Sequence, residues 1–448
     1  MRKTRRLVGA FTALALVLAA CGNGDDPDAA PDDTAADDPD DDVDPEDREE
    51  VTVEMWFNGT PDAHGEVLEE LIPQFEEEHP HITVDWELTD WDTYQQDIST
   101  AAAGGTLPDI IFAFSNLVPG YAERDLLADH SQWFDEDEFV DVTVELTSWD
   151  GEWKMLPTWF SATTLHYRGD LIEEAGFDPD DGMDTWDDLL EWAEGATIRD
   201  NGDIEQLGYF TGTFDFNRVN NLTTAWDSNN VSIFNEDGTE AAFNSPEGVE
   251  AGEFLRELSQ CCDQVGAIEA ENIGLGQGQT AMVSNNFGFR EWREEFPELI
   301  EDGHAYMQTF PQGPSGDGPG GAVTGANVIG ITNDADHPDE AAELLRWLVV
   351  EPDQIIQLAG LGGSIPATAA AEGHEYFEEN PFVEEYRQIA EEDGRSDIAH
   401  PDFADIESIL NDLVDDLLLS DEPVDELLDG AAADINEVLD RSGIPAAG

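Results

Sequence analysis

Apolar residues recur along the chain at two spacings, one typical of strands and the other of helices. Residues 51–56 alternate between apolar and polar side chains, which predicts a strand with one buried face. Thr60 and Pro61 follow as a helix N-cap and a first-turn proline. The next apolar residues share one helical face: Val67, Leu68, Leu71, Ile72 and Phe75. This region therefore predicts a strand followed directly by an amphipathic helix.

The alternation of strands and helices continues in the next segments. Residues 82–86 predict a strand, residues 94–103 a helix ended by two glycines, and residues 108–112 a third, buried strand. Strands that alternate with helices predict an open α/β sheet. Because residues 51–448 exceed what one ordinary hydrophobic core accommodates, we expect two lobes.

The first 50 residues follow neither spacing. Basic residues precede an apolar run over residues 7–20, which at about 1.5 Å per helical residue is too short for the roughly 30 Å hydrocarbon core of a membrane. The run ends in Leu18-Ala-Ala-Cys21, which resembles a bacterial lipobox. We therefore interpret residues 1–20 as a signal peptide and Cys21 as the lipidated residue. The alternative is a plain secretory signal with a chance cysteine.

Residues 21–50 are expected to form a disordered acidic tether that begins at the lipidated cysteine. Between residues 22 and 50 the chain carries twelve Asp and three Glu against one Arg, with very few apolar side chains. Such a segment buries too little apolar surface to fold, and its like charges extend it.

The composition of the whole chain is strongly acidic. Asp and Glu number 104 against 17 Lys and Arg, which gives a formal net charge of −87 at pH 7. The acidic residues are spread along the body, which favours a surface adapted to high salt, where mutual repulsion is screened. This charge excludes nucleic acid as a partner. An acidic face that recruits a basic partner is the alternative interpretation.

Cys261 and Cys262 are the only cysteines besides Cys21. Outside the cell they could form a disulfide between neighbours, although the ring that it closes is strained. Two buried thiols are the alternative, and the sequence does not decide between them. Because no Cys or His spacing typical of zinc occurs, we expect no metal and no cofactor.

Five segments, in chain order, resemble the family 1 extracellular solute-binding proteins, the maltose-binding class. They are Phe75-Glu-Glu-Glu-His-Pro80, Ala101-Ala-Ala-Gly-Gly-Thr-Leu-Pro-Asp109, Leu165-His-Tyr-Arg-Gly-Asp-Leu-Ile-Glu-Glu-Ala-Gly176, Thr185-Trp-Asp-Asp-Leu189 and Gly278-Gln-Thr-Ala-Met282. Each segment alone is a weak signal, but five in register are a strong one. The resemblance covers essentially all of residues 51–442.

The resemblance implies a two-lobed α/β fold of the periplasmic-binding-protein type (type II), with a hinge that lets the lobes close on a ligand. The expected N-terminal lobe is residues 51–160 plus 311–363, and the expected C-terminal lobe is residues 161–310 plus 364–448. By similarity, the chain crosses between the lobes at three places: residues 157–163, 309–311 and 362–366.

Members of this family capture solutes for ABC importers. The resemblance therefore implies a substrate-binding lipoprotein on the extracellular face of the cell membrane, held there through Cys21. Its expected partners are a small-molecule solute, most simply a sugar such as an oligosaccharide, and the permease subunits of the importer. We expect a monomer that is not an enzyme.

A sugar site needs flat aromatic rings for the C–H faces of the ligand, together with donors and acceptors for its hydroxyl groups. We sought candidates in loops that follow strands and at the first crossing, where the family places its contacts. In the first lobe they are Trp56, Asn58, Phe114, Asn116, Trp159 and Ser161. In the second lobe they are Trp226, Asp227, Asn286, Phe287, Arg290 and Phe403. Core packing is the alternative for every aromatic candidate, and Ser161 replaces an acidic residue of the family, so maltose itself is not assigned.

Two other functions stay open on the sequence alone. A binding protein for a polyol phosphate, a polyamine or a peptide would share the fold, although a phosphate requires clustered cations and only Arg218 and Arg290 lie near the expected cleft. A surface-anchored glycan-active enzyme would need two carboxylates at a defined separation. So many acidic residues supply such pairs by chance, and no nucleophile, zinc-protease or phosphate-loop motif occurs.

Overall fold

The computed structural model describes residues 48–90, 93–200, 203–211, 215–263, 275–285, 292, 296–318, 320, 322–362, 364–392, 394–396 and 398–446. The strands within these ranges are β1 (Val51–Asn58), β2 (Ile82–Thr89), β3 (Ile110–Phe114), β4 (Ser148–Trp149), β5 (Glu152–Trp153), β6 (Leu156–Ala162), β7 (Thr164–Arg168), β8 (Ile198–Asp200), β9 (Asp203–Phe210), β10 (Thr280–Asn285), β11 (Ala305–Gln308), β12 (Ala322–Ile331), β13 (Ile365–Pro366) and β14 (Gly394–Ser396).

Helices connect most of these strands. They are α1 (Glu66–Glu78), α2 (Tyr94–Gly104), α3 (Val118–Ala122), α4 (Asp141–Thr147), α5 (Gly169–Ala175), α6 (Trp186–Ala196), α7 (Asp215–Asp227), α8 (Pro246–Cys262), α9 (Pro297–Glu301), α10 (Pro338–Leu345), α11 (Pro352–Gly362), α12 (Glu375–Glu379), α13 (Pro381–Glu392), α14 (Phe403–Leu419) and α15 (Val424–Ser442). Within the described ranges, no helix is long and apolar enough to cross a membrane.

The first strand and helix confirm the apolar spacing read from the sequence. In β1, Val53, Met55 and Phe57 are buried on alternate positions. In α1, the buried residues are Leu68, Leu71, Ile72 and Phe75. Both sets pack into the same core, so the strand-then-helix prediction is correct at this point.

The first sheet has the order β13-β6-β12-β3-β1-β2, and β14 pairs with β12. β1 runs parallel to β2 and β3, whereas β12 runs antiparallel to both β3 and β6. It follows that β1, β3 and β6 all run in one direction. Their carboxyl ends therefore lie at one edge of the sheet, which we call the first edge.

The second sheet has the order β11-β7-β10-β9-β8. β10 runs parallel to β9, and β7 runs antiparallel to β10 with Thr164 opposite Asn285. The carboxyl ends of β9 and β10 therefore lie beside the start of β7. We call this edge of the second sheet the second edge.

The chain passes from one sheet to the other at Thr163. This single residue separates the end of β6 in the first sheet from the start of β7 in the second. A second passage, in the opposite direction, runs through the segment between β11 and β12. Because β6 ends at the first edge and β7 begins at the second, both edges lie beside Thr163.

The third passage between the sheets was expected at residues 362–366, but the chain does not leave the first sheet there. β13 pairs with β6 and β14 pairs with β12, so both strands belong to the first sheet. Tyr386 of α13 also reaches the first sheet, where its hydroxyl oxygen lies 2.7 Å from Ala162 O and 2.6 Å from Ala162 N. Residues 364–396, expected in the C-terminal lobe, therefore pack on the first sheet.

Helices α14 and α15 complete the core of the second lobe. Their buried apolar residues, which recur at helical spacing, pack with those of α6, α7 and α8. Ile398 is the first described residue after β14 that belongs to this second core. The chain thus returns to the second lobe immediately after β14.

The C-terminal end of α8 carries a disulfide between neighbouring residues, Cys261 and Cys262. The structure therefore favours the oxidised alternative over two buried thiols. Cys262 is fully buried, and the carbonyl oxygen of Cys261 accepts a hydrogen bond of 2.6 Å from Arg199 of β8. Asp263, which follows directly, is 6% exposed and reaches towards the second edge.

Candidate functional site

The first edge collects several of the predicted site residues. Asn58 ends β1, Phe114 ends β3, and Asn116 lies two residues beyond Phe114. Ser161 lies at the end of β6, one residue before the last. The parallel course of these three strands places all four residues at the same edge.

Asn58 is 1% exposed, and its amide is only partly satisfied. Thr89 Oγ1 donates a hydrogen bond to Asn58 Oδ1, which fixes the orientation of the amide. Asn58 Nδ2 is buried and has no hydrogen-bond partner in the described part of the chain. Buried polar groups are nearly always paired, so this donor is available for a bound molecule.

The aromatic candidates of the first lobe fall into two groups. Trp159 is only 5% exposed, and its ring lies 5.3 Å from that of Phe112 and 5.7 Å from that of His64, all centroid to centroid. Trp56 and Phe114, by contrast, are half-buried at the edge of the same core. Only these two retain ring surface that a ligand could cover.

The second edge carries buried polar residues. Asn285 ends β10 and is 1% exposed, and Thr211 follows β9 and is 5% exposed. Thr211 is held by Asp263, which accepts hydrogen bonds from Thr211 N at 2.9 Å and from Thr211 Oγ1. The candidates Asn286, Phe287 and Arg290 come directly after Asn285 but lie outside the described residues, as does Cys21.

The remaining candidates of the second lobe lie on helices. Trp226 of α7 is fully buried, and its ring stacks on Phe243 at 4.5 Å with an interplanar angle of 14°. Phe403 of α14 is 6% exposed within the same core. Asp227, the last residue of α7, is half-buried. The structure thus places Trp226 and Phe403 in core packing, which the sequence could not distinguish from a cleft position.

The charged groups near the second edge are neutralised or already paired. Burial lowers the pKa of His166 in β7 to about 3, so its imidazole is neutral at ordinary pH. Arg168 ends β7 and therefore lies at the opposite edge of the second sheet, where it binds Asp170, with Nη2 2.7 Å from Oδ2, and donates to the carbonyl oxygens of Leu275 and Gly276 at 2.9 Å. Arg218 of α7 pairs with Asp415 of α14.

Sequence reasoning missed three polar residues near the two edges. Thr163, at the first passage between the sheets, is fully buried, and its hydroxyl has no hydrogen-bond partner in the described part of the chain. Asn221 and Thr224 of α7 are also buried. The pairs Asn220-Asn221 and Thr223-Thr224 are visible in the sequence, but a buried polar helix face has the same spacing as an exposed one.

No group of three or more His, Cys, Asp or Glu side chains within the described ranges is arranged to hold a metal ion. Apart from the carboxylate of Asp263, which Thr211 already engages, the two edges offer uncharged donors and acceptors, with two half-buried rings beside them. This chemistry suits recognition of a neutral polar molecule by hydrogen bonds and ring contacts.

The profile of the bacterial extracellular solute-binding proteins matches residues 70–385. The chain belongs to this family. The match runs from α1 through α13 and so includes strands of both sheets and the first two passages between them. Binding of a solute outside the cytoplasm is therefore the shared role of the protein and its relatives.

Two curated relatives illustrate the range of the family. The arabinooligosaccharide-binding protein of Halalkalibacterium halodurans is 23% identical over 313 residues, which cover 66% of this chain and 67% of the relative. The sn-glycerol-3-phosphate-binding periplasmic protein UgpB of Escherichia coli K12 is 24% identical over 360 residues, 74% of this chain and 78% of the relative.

Solved structures share the fold. An ABC transporter solute-binding protein of Thermotoga lettingae, bound with α-D-tagatose, superposes with a TM-score of 0.72 at 21% identity, covering 87% of this chain and 99% of that one. The two-lobed α/β architecture expected from the sequence is therefore correct.

Proposed function

We propose that the protein captures an extracellular sugar, most simply an oligosaccharide, by hinged closure of its two lobes and delivers it to the permease of an ABC importer. One observation carries the proposal. The strand ends on both sides of Thr163 present uncharged hydrogen-bonding side chains, with Trp56 and Phe114 beside them. Sugar hydroxyl groups require such donors and acceptors, and the C–H faces of sugar rings cover aromatic rings favourably.

The ligand-binding residues of this proposal are those at the two edges. From the first lobe they are Trp56, Asn58, Phe114, Asn116 and Ser161, and from the second they are Asn286, Phe287 and Arg290, with Asp227 at the end of α7. Trp159, Trp226 and Phe403 are assigned to core packing because each is at most 6% exposed.

The charges near the second edge support a neutral ligand. His166 is uncharged, and Arg218 is paired with Asp415. A phosphate group would require free cations. The sugar-binding names of an arabinooligosaccharide-binding relative and of a tagatose-bound structure agree with a sugar.

A polyol phosphate is the second candidate ligand. It is favoured by the similarity to an sn-glycerol-3-phosphate-binding protein and by Arg290, which follows β10. In this alternative, Arg290 would supply the positive charge that Arg218, already paired with Asp415, cannot.

We further propose that Cys21 is lipidated and that residues 21–50 tether the body to the outer face of the membrane, where an acidic surface suits high salt. The lipobox-like residues before Cys21 support the anchor, since acyl chains attached to such a cysteine hold a protein at a membrane surface. The expected result is that Cys21→Ser moves the protein from the membrane fraction to the medium. Retention of the variant in the membrane fraction would contradict the anchor.

A thermal-shift screen tests the ligand class on a soluble form that carries Cys21→Ser. The panel is maltose, mannobiose, arabinotriose, tagatose, glycerol 3-phosphate, spermidine and a tripeptide. A ligand at about a hundred times its Kd stabilises the folded state by about 2.7 kcal/mol, so the correct class raises the Tm measurably. A shift with glycerol 3-phosphate or spermidine and none with the sugars would reject the sugar proposal.

A further inference from the structure

Helix α7 buries two opposite faces, one apolar and one polar. Val219, Leu222 and Trp226 recur at helical spacing and pack in the second core. The other face carries Asn221 and Thr224, three residues apart, which are 6% and 0% exposed. An amphipathic helix ordinarily presents its polar face to water, so the burial of this face needs a cause.

Helix α7 is enclosed on several sides, by α8 and α14 of the second core as well as by strands of both sheets. α7 packs against β10 of the second sheet and also against β12 of the first. Beyond the end of the helix, the segment of the second passage closes over Ser228, whose carbonyl oxygen accepts a hydrogen bond of 2.8 Å from Gly313 N. Because α7 touches strands of both sheets, the helix lies where the lobes meet.

The side chains of Asn221 and Thr224 have no hydrogen-bond partners in the described part of the chain. Both the amide oxygen and the amide nitrogen of Asn221 are buried without a partner, and the same holds for Thr224 Oγ1. A buried polar group without a partner costs free energy, and folded proteins rarely retain one. Three such atoms on one helix face therefore indicate that a bound molecule supplies their partners.

We propose that Asn221 and Thr224 form a recognition face on α7 that hydrogen-bonds hydroxyl groups of the captured solute at the junction of the lobes. This inference rests on the proposed function and adds a specificity element to it. A primary amide both donates and accepts, as does a hydroxyl group, so the two are matched. An anionic group would leave Asn221 Oδ1 unpaired and an ammonium group would leave Asn221 Nδ2 unpaired, so this face selects hydroxyl groups over charged groups.

Asn229 offers a matched control at the end of the same helix. It is buried, as Asn221 is, but its amide nitrogen and amide oxygen both have hydrogen-bond partners within the protein. Its Nδ2 donates to Glu247 O at 2.8 Å and to Glu250 Oε2 at 3.1 Å, and its Oδ1 accepts from Ser315 N at 2.8 Å. The same substitution at the two asparagines should therefore have opposite effects on the ligand-free protein.

The first measurement is the melting temperature of the ligand-free protein. Asn221→Leu and Thr224→Val remove unpaired polar groups and keep similar shapes, so Tm should stay unchanged or rise. Asn229→Leu breaks satisfied hydrogen bonds, so Tm should fall by at least about 2 °C. A fall of that size in both Asn221→Leu and Thr224→Val would overturn the proposal, because it would mean that these groups are paired within the protein.

The second measurement is titration calorimetry with whichever of maltose, mannobiose, arabinotriose or tagatose stabilises the wild type most. Asn221→Leu should raise Kd about tenfold or more, the equivalent of at least one lost hydrogen bond. Asn229→Leu, measured well below its Tm, should leave Kd within about twofold. An unchanged Kd for Asn221→Leu would overturn the recognition face.

Failure of the sugar proposal is distinguishable from failure of this inference. If the wild type binds glycerol 3-phosphate and none of the sugars, the sugar function is wrong. The recognition face is then tested with glycerol 3-phosphate, whose two hydroxyl groups would still engage Asn221. A Kd for that ligand that Asn221→Leu does not change would reject the inference as well.

Discussion

The two edges that meet at Thr163 are held in place by different forces. At the first edge, stacked and tilted rings surround Trp159, and Thr89 fixes the amide of Asn58. At the second edge, a buried carboxylate holds the backbone and hydroxyl of Thr211. The first edge is thus organised by apolar packing, and the second by charge-assisted hydrogen bonds.

This difference determines which substitutions should damage each lobe. Packing around rings tolerates the loss of a half-exposed side chain, because the remaining rings keep the core filled. A buried carboxylate has no neighbour that can replace it as an acceptor, because its removal leaves the groups that donate hydrogen bonds to it unpaired. The predictions that follow test this contrast in order of decreasing expected effect.

Trp226→Ala should cause the largest loss of stability, about 3–5 kcal/mol in the free energy of unfolding, because it removes a fully buried ring from the second core. The measurement is urea unfolding followed by circular dichroism. Trp56→Ala at the first edge is the control. It should cost much less and instead remove the ligand-induced rise in Tm. Equal losses of stability for the two variants would contradict the assignment of Trp226 to the core and Trp56 to the edge.

Asp263→Ala should lower the free energy of unfolding by about 2–3 kcal/mol, because it leaves the buried Thr211 N–H without its acceptor. Thr211→Val removes only the hydroxyl donor and should cost about 1 kcal/mol. Urea unfolding of both variants gives the comparison. If Asp263→Ala proved no more damaging than Thr211→Val, the carboxylate would not organise the second edge.

Two of the fully buried histidines, His130 beside the first sheet and His166 in β7, should make stability depend on pH. Burial lowers their pKa values to about 4 and about 3, respectively. The unfolded chain takes up protons below the ordinary histidine pKa of about 6.5, while the folded protein does not. The unfolded state thus binds more protons as pH falls, and stability that is complete above pH 6.5 is lost progressively towards the folded-state pKa values.

Between pH 6.5 and 5.5, where most carboxylates stay ionised, each histidine should remove about 1 kcal/mol from the free energy of unfolding. Chemical unfolding at several pH values measures this slope. His130→Gln and His166→Gln should each reduce the slope of the free energy of unfolding against pH by the contribution of one bound proton. An effect of His130→Gln assigns that contribution to the first lobe, and an effect of His166→Gln assigns it to the second. A slope that neither variant changes would contradict the neutral, buried state of both side chains.

The sequence predicted the strands and helices in which buried residues recur at a fixed spacing, because local backbone geometry determines that spacing. The period-two burial in β1 and the single apolar face of α1 follow directly from strand and helix geometry. Thr185 and Asp188 form a reciprocal capping box at the start of α6, within one of the segments on which the family resemblance rests. Such features depend on near neighbours in the chain, so a single sequence reveals them.

Short strands and buried helices limited the remaining predictions. The third passage was expected by similarity alone, and β13 with two residues and β14 with three are too short to show a periodicity that would have moved it later in the chain. Trp226 follows a polar stretch of α7, yet its fellow residues on the same face, Val219 and Leu222, place it in the core. Whether the opposite face of α7 is exposed to water or buried depends on elements such as β12 and the second passage, which are distant in sequence.

The late third passage also sets the order in which the protein can fold. The first sheet lacks a strand until residue 396 is available, and the second core lacks two helices until α14 and α15 have been synthesised. Neither lobe is complete on a nascent chain that stops much earlier, and contacts between residues so far apart in sequence form slowly. A chain with this connectivity therefore cannot complete either core before nearly all of it has been synthesised.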